Sequence, residues 1–146
     1  MIPPRWVYRV GWMVHRTVYA VSLHRLGTAK PRPGRLGTLF LETAGRTTGI
    51  IRHNALGYVE DGPNLVVVAT NAGAPTDPAW WRNLEARPDA WVEIGPRRVA
   101  VHARAATGVE RERLWDRFVA ANPRYGEYER ATSRAIPVVV LEPRPG

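Results

Sequence analysis

Val59-Glu60-Asp61-Gly62-Pro63-Asn64-Leu65-Val66-Val67-Val68-Ala69-Thr70 is the stretch on which the reading of the fold turns. Asp61-Gly62-Pro63-Asn64 gathers residues that reverse a chain, and Leu65–Ala69 is continuously apolar, as a buried strand is. The segment before the turn, Ile50–Glu60, reads as the other arm of a hairpin, interrupted by the polar residues Arg52, His53 and Asn54. Outward from this hairpin, Thr38–Thr43 reads as a strand on one side. On the other, Ala90–Ile94 and Val99–Ala106 form a second hairpin around Gly95-Pro96-Arg97-Arg98, and Ile136–Leu141 is the last strand.

Helices interrupt these strands instead of alternating with them. Asp77 followed by Pro78 reads as an N-cap and first helical position, opening a helix that runs to about Ala86, before Pro88. Thr107-Gly108-Val109-Glu110 matches a capping box and opens a helix carrying Leu114, Trp115, Phe118 and Val119 at helical spacing. Tyr125–Arg134 reads as a short helix after Pro123. Residues 5–26 read as an N-terminal helix with a valine stripe (Val7, Val10, Val14, Val18, Val21) opposite a face of Arg5, Arg9, Trp12 and Arg16, the pattern of a helix lying on a membrane surface or packing under a loop. Lys30–Gly37 reads as a linker without regular structure. Short strands joined by hairpins predict a mainly β (α+β) protein. About six antiparallel strands curl into a barrel with an N-terminal helix and peripheral helices, in preference to a doubly wound parallel sheet. The expected organisation is residues 1–30 as helix and linker start, and 31–146 as the barrel.

The composition narrows the partners. The chain of 146 residues lacks cysteine and has four scattered histidines, which argues against disulfides, thiolate chemistry and a structural metal. Net charge is +8, and 20 of the 21 basic residues are Arg, whose planar fork suits phosphates and carboxylates. An anionic partner is implied, unless the arginines only solvate the surface. Nucleic acid is disfavoured because aromatic residues are not interleaved with Arg along an evident sheet face. No apolar run reaches the length of a spanning helix and no secretory signal opens the chain, so a cytoplasmic location is expected.

Two segments stand out as chemistry. Gly45-Arg46-Thr47-Thr48-Gly49, with Arg52 beyond it, offers guanidinium groups, hydroxyls and a permissive backbone, suited to a phosphate or carboxylate; a polar hairpin turn is the bland alternative. Neither a Walker loop nor a dinucleotide fingerprint is present. Thr70-Asn71-Ala72-Gly73-Ala74-Pro75 follows a strand and precedes the helix that begins near Pro78, so backbone amides and a helix N-terminus converge there. Either Trp80 and Trp81 both fill the barrel base, or one packs inward while the other lies against a ligand ring.

These linked motifs resemble the deazaflavin (F420)-dependent nitroreductase and quinone reductase family. The resemblance is carried by Leu41–Gly49, Arg52, Ala69–Pro75, Pro78–Leu84, Ala103–Thr107 with Glu110-Arg111, and Ile136–Pro143, and it covers about Leu36 to Pro143. It implies a split β-barrel, reduced coenzyme F420 as hydride donor, and a quinone, enone or nitro compound as acceptor. Carried over by position, Arg46, Thr47, Thr48 and Arg52 would hold the cofactor's phosphate and acidic tail. Asn54 would line the path to the ring, Val68, Ala69, Thr70 and Asn71 would run beside it, and Ala79, Trp80 and Asn83 would close the other side. Tyr125 and Tyr128 match pocket tyrosines, and with Thr70 are the candidates to donate a hydrogen bond or proton to the acceptor. The chain departs from the family pattern in three places. Thr47 stands where relatives often carry Lys, Asn122 replaces a pocket tyrosine, and Thr70-Asn71 replaces a Ser-Lys or Ser-Asn pair. The competing readings are a barrel oxidoreductase using flavin mononucleotide (FMN) and a non-catalytic barrel binding a lipid or anionic ligand. A monomer or homodimer is expected, with Trp91 or Trp115 in a contact between copies.

Overall fold

The computed structural model describes residues 28–145, so the helix expected over 5–26 lies outside the described residues. Six strands run Gly37–Ala44 (β1), Ile51–Asp61 (β2), Asn64–Val68 (β3), Asp89–Ile94 (β4), Arg97–Ala105 (β5) and Val138–Pro143 (β6). Three helices span Ala79–Ala86 (α1), Gly108–Ala121 (α2) and Arg124–Ala131 (α3). The strands close in the order β1-β2-β3-β6-β5-β4. Every pairing is antiparallel, including β1 with β4, which shuts the ring. The turn at Asp61–Asn64 sets the β2–β3 register, Val59 opposite Val66.

Strand alternation divides the apolar residues between two cores. Leu39 and Leu41, Leu65 and Val67, Ala90 and Val92, Val101 and Ala103, and Val139 and Leu141 point into the barrel. Trp80, Trp81 and Leu84 of α1 join that inner core and plug one end of the barrel. The alternate positions Val59, Val66, Val68, Val138 and Val140 face outward and are covered by Leu114, Trp115 and Phe118 of α2 and, at the edge, Tyr125 and Tyr128 of α3. Trp115 is therefore interior, and an expected role in a contact between copies does not fit its burial. Trp91 lies under Arg98 and Arg144, whose guanidinium carbons are 4.0 and 5.5 Å from the ring centre.

The ring is not evenly stitched. β2 pairs with β1 from Ile51 to Tyr58, opposite Ala44 to Gly37. It pairs with β3 only through Val59, Glu60 and Asp61. From Ile51 to Tyr58 the other edge of β2 has no strand partner among the described residues. The barrel is split there.

Local signals were overridden in three places. Asp77 does not cap α1; the capping position is Pro78, and the Asp77 carboxylate instead accepts a 2.7 Å bond from Arg134. Thr107 makes no capping bond to α2, and Glu110 turns to Arg104 with contacts of 2.6 and 3.0 Å. Within Lys30–Gly37, expected to be irregular, an Arg32–Arg35 bridge forms a small turn, and the flanking Ala29–Thr38 bridge holds it on β1. A charge-assisted bond to Arg outweighs a local cap of about 1 kcal/mol.

Gly37 and Tyr58 are opposite one another across β1 and β2. A Cβ at Gly37 would stand 2.5 Å from the Tyr58 ring and 2.7 Å from the Ala29 carbonyl oxygen, so only glycine fits. Tyr58 is 0% exposed and its hydroxyl has no hydrogen-bond partner among the described residues. Burial, aided by Glu60, pushes this phenol above its ordinary range, although Arg97 pulls the other way. Tyr58→Phe is expected to keep the fold and raise the unfolding free energy by up to about 1 kcal/mol in a denaturant titration, since an unpaired polar atom leaves the core.

Candidate active site

The two segments singled out in the sequence meet at the end of the barrel that α1 plugs. Between β1 and β2, Gly45–Ile50 forms a closed turn. The Gly45 N–H donates to the Ile50 carbonyl (2.8 Å), the Gly49 N–H to the Gly45 carbonyl (2.8 Å), and the Ile50 N–H to Thr48 Oγ1 (3.2 Å). Gly49 takes φ +71°, and a Cβ at Gly45 would stand 2.8 Å from Thr48 Oγ1. Both glycines are needed for this path.

Asn83 fastens that turn to α1. Its Oδ1 accepts from the Arg46 backbone N–H and from Arg46 Nη1, each at 3.1 Å, and its Nδ2 donates to Thr43 Oγ1 at 3.2 Å. The residue is 4% exposed, so these bonds form where water does not compete. Sequence reading assigned Asn83 to a ligand wall; the structure shows an amide engaged chiefly in holding Arg46.

A cleft of about 540 Å³ lies between the turn and the start of α1. Of the residues predicted from the sequence, Arg46, Thr47, Thr48, Arg52, Asn54, Asn71, Ala79, Trp80 and Asn83 line it. His53 and Asp77, which the resemblance did not assign to the cofactor, also line it. His53 pairs with Glu42 at 3.3 Å and Asp77 with Arg134 at 2.7 Å. Among the described residues, neither Arg46 nor Arg52 has a carboxylate partner. The cleft therefore presents two uncompensated guanidinium groups beside the N-terminus of α1, which suits an anion. Trp80 is mostly buried in the inner core and still reaches the cleft wall, whereas Trp81 packs in the inner core off the cleft lining.

Val68 and Ala69 are buried and Thr70 is half-buried; these residues, with Tyr125 and Tyr128, stand off the cleft lining. The loop after β3 is nevertheless tied in: Asn71 Nδ2 donates to the Thr76 carbonyl at 3.0 Å. Tyr125 packs edge-on against Trp115, Phe118 and Tyr128. Its hydroxyl lies 3.2 Å from where a Cβ of Gly57 would stand, on the face of β2 along the stretch that β3 does not pair. Gly57 follows Asn54 by three residues, or about 10 Å of strand. Burial, then the neighbouring Tyr128, raises the Tyr125 pKa above its ordinary value, so it is a neutral phenol able to donate at physiological pH.

Comparison with known proteins gives one answer. The F420H2-dependent quinone reductase family profile matches residues 14–143. A curated F420H2-dependent quinone reductase of Mycobacterium tuberculosis is 37% identical over 147 aligned positions, covering 96% of this chain and 97% of the relative. A solved F420H2-dependent reductase superposes with a TM-score of 0.66 at 35% identity, covering 72% of this chain and 93% of that one. A second solved chain, described as a domain-swapped dimer, gives 0.69 at 30% identity over 92% and 99%. The split barrel, the cationic cleft and these matches agree, and the chain belongs to the F420H2-dependent quinone reductase family.

Proposed function

We propose that this protein is an F420H2-dependent oxidoreductase that reduces a quinone, with enones and nitro compounds as further acceptors. The observation that carries the reading is the Arg46–Asn83 clamp, which brings the Gly45–Ile50 turn onto α1 and leaves Arg46 and Arg52 facing one cleft without acidic partners. That donor set fits a cofactor bearing a phosphate and a polyacidic tail. Arg46, Arg52 and the hydroxyls and amides of Thr47 and Thr48 would hold those groups. Asn54, Asn71, Ala79 and Trp80 would bound the ring.

When bound, reduced F420 supplies a hydride. The chain's own work is to position the acceptor and manage its proton. The free edge of β2 between Asn54 and Gly57 offers backbone N–H and C=O groups to a flat acceptor. An acceptor lying there comes within reach of the Tyr125 phenol, which donates to the oxygen where negative charge develops. The packing of Tyr125 against Trp115 and Phe118 fixes that donor and keeps water from it. Tyr128 supports the ring edge-on. Thr70 stands at the end of β3 as a second hydroxyl.

The reading is tested by fluorescence titration of the purified chain with oxidised F420 and with FMN, followed by turnover of quinones, enones and nitro compounds. F420 is expected to bind more tightly than FMN, and Tyr125→Phe to lower kcat about 10- to 100-fold while leaving F420 affinity within about twofold. Tighter binding of FMN, or Tyr125→Phe turning over at the wild-type rate, would overturn the corresponding step. Contact of residues 5–26 with the membrane, where quinones reside, is supported by the pattern of those residues alone. Deleting residues 1–30 should then reduce liposome binding and spare cofactor binding. A homodimer is compatible with this function and is not required by it.

A further inference from the structure

The loop that forms the second wall of the cleft is held in an unusual shape. Asn71 and Ala72, neighbours without the freedom of glycine, both adopt left-handed backbone, with φ of 46° and 53°. Side-chain-bearing residues rarely take this conformation unless something holds them there.

Arg134 lies behind the loop and reaches four points on it. Nη2 donates to the carbonyls of Ala69 (3.1 Å) and Thr70 (2.9 Å), Nε to the carbonyl of Ala74 (3.0 Å), and Nη1 to the carboxylate of Asp77 (2.7 Å). The bonds thus straddle Asn71 and Ala72. The side chain is only 14% exposed and does not line the cleft. Asp77 is the one acid among the described residues that line the cleft, and Arg134 occupies it. A lysine could not repeat this, since the forked guanidinium aims its donors in fixed, separate directions.

We propose that Arg134 is a positioning residue for the cofactor cleft. It locks residues 69–77 in the left-handed, ligand-ready shape before any ligand arrives, and it neutralises the one acid that would repel an anionic ligand. The proposal rests on the reading of the cleft as the F420 site.

The test compares wild type, Arg134→Gln, Arg134→Lys and the double variant Arg134→Gln/Asp77→Asn, each without ligand and in an F420 titration. In the unliganded glutamine variant, amide hydrogen exchange in residues 70–76 is expected to rise about tenfold, while the barrel strands keep wild-type protection. F420 affinity should fall about tenfold, with Arg134→Lys in between. Adding Asp77→Asn should return about threefold of it, because the exposed acid is gone. A role in general stability alone would loosen the strands too and would not respond to Asp77→Asn. Unchanged exchange at 70–76 overturns the proposal, as does wild-type affinity in Arg134→Gln. Should the glutamine variant fail to fold, Arg134→Lys carries the same two readouts. If wild type binds no F420, the reading of the cleft fails, and the exchange measurement still decides whether Arg134 fastens the loop.

Discussion

Asn83→Ala is expected to weaken F420 binding by about 30-fold or more and to lower the unfolding free energy by about 2–4 kcal/mol, one of the largest effects available to a single substitution here. The truncated amide takes three hydrogen bonds with it: two from Arg46, one to Thr43. Thr43 is buried, so its hydroxyl is left without the donor that served it. The Arg46 backbone N–H loses its anchor, and the Gly45–Ile50 turn keeps only its internal bonds. Asn83→Asp separates the two consequences. A carboxylate still accepts from Arg46, so the turn stays docked, but the Arg46 charge is now spent inside the protein. Affinity should fall with far less loss of stability. Denaturant titration and F420 fluorescence on both variants check this, and wild-type affinity in Asn83→Ala would show that the clamp does not shape the site.

Removing both free cations, Arg46→Ala with Arg52→Ala, should cost about 100-fold or more in F420 affinity at low ionic strength, on the scale of about 1.5–3 kcal/mol for each charge-assisted contact. Binding by the wild type should also weaken as salt is raised, and that dependence should flatten in the double variant, because screening acts on the charges that were deleted. Stability is expected to change little. Both side chains are exposed, and the Arg46 backbone N–H keeps its bond to Asn83. A lysine pair at these positions would restore the salt dependence and only part of the affinity, since the ammonium lacks the fork. Salt-insensitive wild-type binding would remove electrostatics from the account of the site.

What the sequence disclosed, and what it concealed, follows from the range of the forces involved. Hairpins announced themselves because turn residues and strand alternation are local. Asp61–Asn64 gave the β2–β3 turn and its flanking arms, and Gly95-Pro96 gave the turn between β4 and β5. The six strands and three of the four expected helices follow, with ends displaced by one to three residues, as at β6, where the ladder starts at Val138 instead of Ile136, and at α3, which ends at Ala131 instead of Arg134. The cationic turn and the loop after β3 were visible as motifs. Their meeting at one site was legible too; the link that fastens them was not, because Asn83 joins positions 37 and 40 residues apart. Arg134 was less legible still. It looked like the tail of a helix, and its partners lie 57 to 65 residues earlier in the chain. The acids that local patterns had assigned to helix ends are held by arginines instead, Asp77 by Arg134 from 57 residues away and Glu110 by Arg104 from six.

The position of β6 has a consequence for how the molecule is made. Val138–Pro143 is the stave between β3 and β5, pairing Leu65 with Leu141 and Ala103 with Leu141. During synthesis the clamp, the turn and α1 have all left the ribosome before the ring that supports them can shut. Nascent chains that end between Asn83 and Val138 would carry every residue of the cleft without the closed ring, so cofactor capture must follow translation of β6.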